Sequence, residues 1–405
     1  MSKEKTITEG PSESQRVLYH LRTQGTGSEG IHIRGMVTAF RKKGYTVDFL
    51  WPLGEGDPTV RAGVNPYDTK KRKSPFELVI PLIPGPVFAI LEFCYNFWSY
   101  RRLRQILRKR SYQFIYERHF FFSLSSGLVA KRFGIPLVVE VNELAGFQRV
   151  RRNYLAGLAK KCERSLFNRA TVISVVSKFL RDAIIEQYPE VHADKIHVVP
   201  NGVEESFFTR SVDGASIRRD LGIEDKIVFG FIGFFLREKS WHHLDWFIPA
   251  FIEAVKDHPS AVLLLIGGGP GRDDLEEIGQ SMDFKDRMIF TGAIDNVGIG
   301  NYIDAMDIGV IPHTNEYRSP IKLFEYMAYG KPVLAPNQEP VESIVGEVQP
   351  YYLFEAKSHT SLKKAISIVL EDRENWLEKG GQLKELAKSK YTYEKHGVTI
   401  LRLLG

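Results

Sequence analysis

The stretch from Ile308 to Ala335 constrains this chain most, because it reads as strand, short helix and strand in immediate succession. Ile308-Gly-Val-Ile-Pro312 and Pro332-Val-Leu-Ala335 are the apolar strands. The helix between them is marked at both ends. Ser319 is expected to cap its N-terminus, and Pro320 suits the first helical position because it has no N–H to lose. Gly330 suits a left-handed C-terminal residue, and Pro332 stops any continuation. Ile321, Phe324, Met327 and Ala328 share one face at helical spacing. Lys322 and Glu325, three apart, share another. A β–α–β unit this short implies a parallel sheet, and a helix start at the carboxyl end of a strand is an anion site. The N–H groups of Ile321, Lys322 and Leu323 would hold a phosphate, with a ribose diol on Glu325. The plain alternative is a capped helix of an ordinary α/β protein, with Lys322 and Glu325 a solvated surface pair.

The same alternation runs through the chain. Arg16–Leu21 reads as a strand, followed by the glycine-rich Gly25–Gly30, an amphipathic segment His32–Lys43 and a strand Thr46–Leu50. Gly25 and Gly27 would let backbone approach a phosphate or an acceptor, and a plain tight turn explains them equally. Gly25, Gly27 and Gly30 have the intervals of the dinucleotide fingerprint, but no acidic ribose partner follows the second strand, so NAD is rejected. Phe114–Tyr116, Leu137–Glu140 and Val172–Val175 read as strands, and Ala156–Asn168 as a helix. Leu53–Phe76 reads as a loop. Glu140, Asn142 and Glu143, at a strand's carboxyl end, are candidate acceptor contacts or loop caps. After Pro200–Val203 a second series begins, with strands at Ile227–Ile232, Val262–Ile266 and Met288–Phe290. The expected division is 1–14 disordered, 15–203 acceptor-binding, 204–385 donor-binding, and a helical end, 386–405, crossing back to the first domain.

The net charge of +6 conceals two opposite halves. Residues 1–200 carry 32 Lys and Arg against 18 Asp and Glu, whereas 201–405 carry 23 against 31. The basic half should face something anionic. Val87–Tyr100 is apolar and aromatic, too short to span a bilayer. Arg101–Arg110, with six cations, follows it. Phe88–Arg110 therefore reads either as an interfacial anchor on an anionic membrane or as a helix packed on the first domain with a solvated basic side. Arg149, Arg151, Arg152, Lys160, Lys161 and Arg164 add to the same field. No motif reads base edges, which argues against nucleic acid. Cys94 and Cys162 give neither a disulfide framework nor a metal spacing. Without a signal-peptide pattern, the expected location is cytoplasmic, peripheral on the inner face of the plasma membrane.

Ser319-Pro-Ile-Lys-Leu-Phe-Glu-Tyr-Met-Ala-Tyr-Gly-Lys-Pro-Val333 resembles the nucleotide-binding helix of the family 4 retaining glycosyltransferases. Gly25-Thr-Gly27, Tyr116-Glu-Arg-His119, Val199-Pro-Asn-Gly-Val203 and Gly267-Gly-Gly-Pro270 carry the likeness along the chain. The resemblance implies the GT-B fold, two Rossmann-like doubly wound parallel-sheet domains facing a cleft. It implies transfer of a hexose-type sugar, with retention and without a metal or cofactor, from a UDP- or GDP-sugar to a glycan or lipid-linked acceptor. Of two family glutamates eight apart, the ribose-binding one matches Glu325. The other falls at Tyr317, whose neighbour Glu316 is the candidate in its place. The family's diphosphate lysine matches Lys239, and its arginine falls at Phe234, leaving Arg237 as a shifted substitute. His119 matches a histidine beside the donor sugar, and Gly268 belongs to a loop flanking the base. Two rivals stand beside this reading. One is a nucleotide-sugar 2-epimerase, which would need further cleft carboxylates. The other is a degenerate homologue that binds nucleotide without turnover, for which Phe234 and Tyr317 speak.

Overall fold

The computed structural model describes residues 15–23, 25, 27–52, 56–61, 83–147, 154–237, 242–295 and 297–405. Met1–Ser14, most of the 53–76 stretch, Arg149, Arg151, Arg152 and Lys239 lie outside them. Twelve strands among the described residues form two six-stranded parallel sheets. The first holds β1 (Arg16–His20), β2 (Thr46–Leu50), β3 (Phe114–Arg118), β4 (Leu137–Val141), β5 (Val172–Val175) and β6 (Ile196–Val198). The second holds β7 (Ile227–Ile232), β8 (Ala261–Ile266), β9 (Met288–Gly292), β10 (Ile308–Val310), β11 (Val333–Pro336) and β12 (Leu353–Phe354). Their orders are β2-β1-β3-β4-β5-β6 and β12-β11-β10-β7-β8-β9. This is the GT-B pair of Rossmann-like sheets that the sequence implied. Central strands such as β4 and β8 are buried along their whole length. That is why they read as apolar runs rather than alternations: helices cover both faces.

Each sheet reverses its strand order once, between β1 and β3 in the first and between β7 and β10 in the second. Ligands of open α/β sheets bind beyond the carboxyl ends of strands at such a point. Five helices bear on these two places: α1 (Gly27–Lys42), α2 (Gly85–Lys109), α3 (Leu244–Ala254), α4 (Ile321–Ala328) and α5 (Tyr393–Leu403). Helix α1 starts at Gly27, so the glycine-rich stretch read as a loop to Gly30 is already helical. The apolar 87–100 segment and the basic 101–110 run form one continuous helix, α2.

The last helix, α5, lies against α1. Tyr393 and Ile400 join the first sheet's core beside Ile33, Met36, Val37 and Phe40. A Cβ on Gly35 would fall 2.1 Å from the Tyr393 ring, so this helix contact requires glycine there. The Val203 amide donates to the Tyr391 carbonyl at 2.9 Å, and the Tyr393 amide donates back to Val203 at 3.1 Å. The chain's end is thus stitched to the segment that passes from one sheet to the other.

Candidate functional site

At the β7/β10 reversal three loops and two helix starts converge. Gly267 and Gly269, with φ of 137° and 148°, run backbone to backbone along the loop after β7. The Phe235 amide donates to the Gly268 carbonyl at 3.0 Å, and the Gly271 amide donates to Phe235 at 2.9 Å. A Cβ at Gly267 would stand 1.8 Å from the Gly233 carbonyl oxygen, which only glycine avoids. Gly268 faces the opposite way, toward open space whose nearest wall is the Ala293 amide at 3.8 Å. Arg237 does not swing into the site: its Nε donates to the Pro270 carbonyl at 2.8 Å, and the side chain is exposed.

Helix α4 supplies the two charged groups. It ends as its sequence marks it: Gly330 has φ 67°, its amide donates to Met327, and the Lys331 amide reaches back to Tyr326. Its start differs from expectation. Ser319 does not cap the helix, because its Oγ accepts the Asn201 amide at 3.1 Å and its carbonyl accepts Asn201 Nδ2 at 2.6 Å. The helix begins one residue later, at Ile321, with Pro320 in the cap position and no side-chain cap. The Leu323 amide turns back to the Pro320 carbonyl, whereas the Ile321 and Lys322 amides precede any carbonyl of the helix four residues back.

Lys322 and Glu325 are not a solvated pair. Glu325 is 8% exposed and forms no side-chain hydrogen bond or ion pair with any described residue. Burial pushes its carboxyl up to about 7; Lys322 opposes that shift and Glu204 adds to it. The Lys322 ammonium stands 4.1 Å over the Phe231 ring and 3.5 Å from His242 Nδ1. Burial pulls it down to about 7, against the pull of Glu325. His243, in the cap position of α3, meets His313 with ring centroids 4.4 Å apart. These three histidines were not singled out in the sequence. The His242-His243 pair just ahead of an apolar helix, and His313 just beyond β10, were the available signals.

The loop from β10 to α4 points its next residues elsewhere. Tyr317 is buried in the first domain's core, against Phe147 and Phe179, and its carbonyl accepts Ser177 Oγ at 2.9 Å. Glu316 beside it is exposed. Arg318 lies 4.0 Å from Glu143. Glu316, the candidate for the sugar side, therefore stands beside an interdomain anchor.

In the first domain several candidates prove to be interior groups. The His119 ring is fully buried, with Nε2 3.5 Å from Glu163 Oε1 and Phe167 alongside. Glu140, expected at the acceptor, is the centre of a buried network. It accepts Tyr116 Oη at 2.7 Å and Asn142 Nδ2 at 2.7 Å, and pairs with His32 at 2.9 Å and with Arg118. Its carboxyl is held far below the usual carboxylate range; burial opposes this, and His32 and Arg118 outweigh it. Asn142 is spent on Glu140 rather than turned to the cleft. Gly25 has φ 70°, and a Cβ there would press on the Pro58 carbonyl at 2.9 Å, so the position suits glycine on both counts. Gly27, with φ 60°, opens α1. His20, at the end of β1, contacts Glu117 Oε2 at 2.9 Å and Ser126 Oγ at 2.6 Å, and neighbouring Arg22 pairs with Glu92 of α2 at 2.5 Å. Sequence reasoning did not single out His20, Arg22 or Ser126.

Residues 30–207 match the model of Glycosyltransferase Family 4, and 226–372 that of Glycosyl transferases group 1. A 2-deoxystreptamine N-acetyl-D-glucosaminyltransferase of Streptomyces fradiae is 25% identical over 256 residues, 62% of this chain and 60% of that protein. An alpha-monoglucosyldiacylglycerol synthase of Streptococcus pneumoniae is 23% identical over 328 residues, 78% of this chain and 69% of that protein. The chain spans 60% and 65% of the lengths of two of these relatives, the Streptomyces fradiae protein and a 2-deoxystreptamine glucosyltransferase of Streptomyces kanamyceticus. Among solved structures, Anabaena HepE in complex with UDP superposes with a TM-score of 0.70 at 16% identity, over 96% of this chain and 99% of that one. This chain belongs to the family 4, group 1 glycosyltransferases of GT-B fold.

Proposed function

We propose that this glycosyltransferase moves a hexose-type sugar from a UDP- or GDP-sugar, with retention, to a glycan or lipid-linked acceptor in cell-surface polysaccharide or glycolipid synthesis. The observation that carries the donor half is Glu325, a buried carboxylate without a partner among the described residues, beside a helix start with no side-chain cap. A carboxylate with idle acceptor oxygens fits a vicinal diol, and free first-turn amides fit a phosphate. Ribose followed by diphosphate offers both. The reading assigns charge compensation at the leaving diphosphate to protein groups, with no metal or cofactor in the reaction. HepE, whose structures hold UDP and UDP-glucose, supports the donor class. The test is a thermal-shift screen with UDP, GDP, ADP and their sugars. A ligand at a hundred times its Kd adds about 2.7 kcal/mol, a rise of roughly 3 °C or more in a chain this size. No shift with any of them would remove the nucleotide reading. Binding without release of diphosphate across a broad acceptor panel would favour the degenerate-homologue reading that Phe234 and Tyr317 raise.

The acceptor half of the reading rests on α2. Its exposed positions fall at 86, 87, 90, 91, 94, 97, 98, 101, 102, 105, 108 and 109, one stripe at helical spacing. The first part of the stripe is apolar, with Ile90 52% and Phe97 60% exposed, and the second part is basic. No helix among the described residues is long and apolar enough to cross a membrane. A stripe of this kind seats its apolar part in the interface and its cations over anionic headgroups, on the cytoplasmic side. The inner face of the same helix reaches the first domain's site through Glu92 and Tyr95, which touch Arg22 and His20. A lipid-borne acceptor would thus arrive at the cleft rim. Co-sedimentation with phosphatidylglycerol vesicles at low salt should retain the wild-type chain, and Ile90→Asp with Phe97→Asp should cut retention about tenfold. Equal retention of both would overturn this placement.

A further inference from the structure

We propose that Arg22, Tyr95 and Trp98 form a subsite for a sugar headgroup on the acceptor, with His20 and Glu117 orienting the Tyr95 hydroxyl. The inference deepens the acceptor half of the proposed function and rests on it. The place is the reversal of strand order in the first sheet. His20, the last residue of β1, pairs in register with Glu117, next to last in β3. Open α/β sheets bind their ligands just beyond such strand ends. Helix α2 lies against this end and is pinned there. Buried Asn96 accepts the Leu124 and Ser125 amides at 2.9 and 3.1 Å and donates to the Phe122 carbonyl at 2.7 Å. Tyr95, one residue earlier, is thereby held beside His20, with ring centroids 6.0 Å apart at 19°.

His20, Glu117, Ser123 and Ser126 have no solvent exposure. Glu117 Oε1 accepts the Ser123 hydroxyl at 2.6 Å, and Oε2 accepts His20 Nδ1–H at 2.9 Å. Ser126 Oγ sits 2.6 Å from the same nitrogen. Burial opposes charge on Glu117, yet the bonds from His20, Ser123 and Ser126 hold its carboxyl below the ordinary value. An ionised Glu117 fixes the ring proton on Nδ1, so Nε2 is left to accept. Tyr95 Oη donates to it at 3.3 Å. Burial holds the Tyr95 phenol well above its ordinary value, Arg22 opposing, so it keeps that proton. With the proton turned inward, the oxygen presents its lone pairs outward. A buried carboxylate–histidine pair adds little to the fold that apolar residues would not supply. What it does is aim one half-buried hydroxyl. Arg22, beside it, gives two N–H groups to the Glu92 carbonyl and carboxylate, and its others have no described acceptor. Trp98, 41% exposed, lies against Tyr95 with ring centroids 5.3 Å apart. A hydrogen-bond acceptor, a donor and a flat apolar wall match a pyranose, which offers hydroxyls to the first two and a C–H face to the third. Trp98 also belongs to the exposed stripe of α2, so a sugar there sits at headgroup level, where tryptophan is enriched.

Ligand-observed NMR titration of the full chain tests this. The probes are octyl glucoside, octyl galactoside and octyl mannoside below their micelle concentrations, beside tetraethylene glycol octyl ether, which has the same tail and no sugar. At least one glycoside should bind about tenfold more tightly than the ether, the effect of one or two added hydrogen bonds. Tyr95→Phe should remove most of that preference and leave the affinity for the ether at its wild-type value. His20→Phe, which leaves Tyr95 without its inner partner, should lower the preference too. His20→Gln, whose amide oxygen can accept the Tyr95 proton, should retain more of it. A purely structural role for this chain of bonds would move the melting temperature and all four affinities together. Equal binding of all four probes would overturn the subsite and leave the lipid-borne acceptor reading standing. An undiminished preference in Tyr95→Phe would overturn the assignment to Tyr95. Binding of none of the four would overturn the subsite and the acceptor reading with it.

Discussion

Replacing Glu325 by glutamine should weaken UDP or GDP binding by about 30- to 1000-fold and make the ligand-free protein more stable at pH 8. The first effect follows from what the carboxylate lacks. Hydrogen bonds to a charged acceptor contribute about 1.5–3 kcal/mol each, and a ribose offers two hydroxyls. Losing 2–4 kcal/mol corresponds to that range in Kd. The second effect follows from burial. The folded value of about 7 lies above the ordinary carboxylate value of 4.5. A raised folded value means that the native state holds the proton more tightly than the unfolded chain. Its contribution to stability is complete below 4.5 and is lost as pH rises through 7. At pH 8 the ionised side chain is a cost that glutamine does not carry. The variant should gain about 1–2 kcal/mol there and nothing at pH 4.5, where the wild-type group is already protonated. Calorimetric Kd values, with urea melts at the two pH values, measure both. Unchanged affinity for UDP, GDP and ADP alike would sink the site, whatever the melts show.

That combination, tighter folding with lost binding, marks a group kept for a ligand rather than for the fold. It also explains which parts of the molecule were legible in the sequence. Strand runs such as Val172–Val175 and Ile227–Ile232 coincide with β5 and β7 residue for residue. Strands buried on both faces write themselves as continuous apolar runs, so their limits are local information. The stop of α4 at Gly330 was legible for the same reason: a left-handed residue is a property of one position. Its start was not. Ser319 looks like a cap until Asn201, 118 residues away, takes both its oxygens.

Tyr317 shows the same limit from another side. In sequence it stands where a sugar-contacting glutamate is expected, beside an acidic neighbour. In the fold it is a hydrophobic anchor of one domain in the core of the other, between Phe147 and Phe179. Nothing within ten residues announces that role, because its partners Phe147 and Phe179 belong to the other domain. His242, His243 and His313 were passed over because no spacing rule joins residues from the carboxyl ends of β7 and β10. Only the strand order β10-β7 makes them neighbours.

Glu140 carries this to its largest energetic consequence. Read from the end of a strand it is an acceptor contact; in the fold it neutralises Arg118 and bonds His32 inside the first domain. Glu140→Gln should therefore destabilise the protein by about 3–5 kcal/mol, since removing one partner leaves buried charge uncompensated. Against a total of about 5–15 kcal/mol that is a large share, visible as a lower urea midpoint. The pH dependence has the opposite sign to that of Glu325. The folded value of Glu140 is depressed, so its contribution is complete above 4.5 and is lost as pH falls below that, toward the folded value. The gap between wild type and variant should therefore hold from pH 8 to 5 and narrow in acid. Stability and kinetics together separate the two roles. A structural hub loses urea midpoint and leaves the acceptor KM of the surviving folded enzyme near wild type. A variant with an unchanged midpoint and a raised acceptor KM would return Glu140 to the cleft.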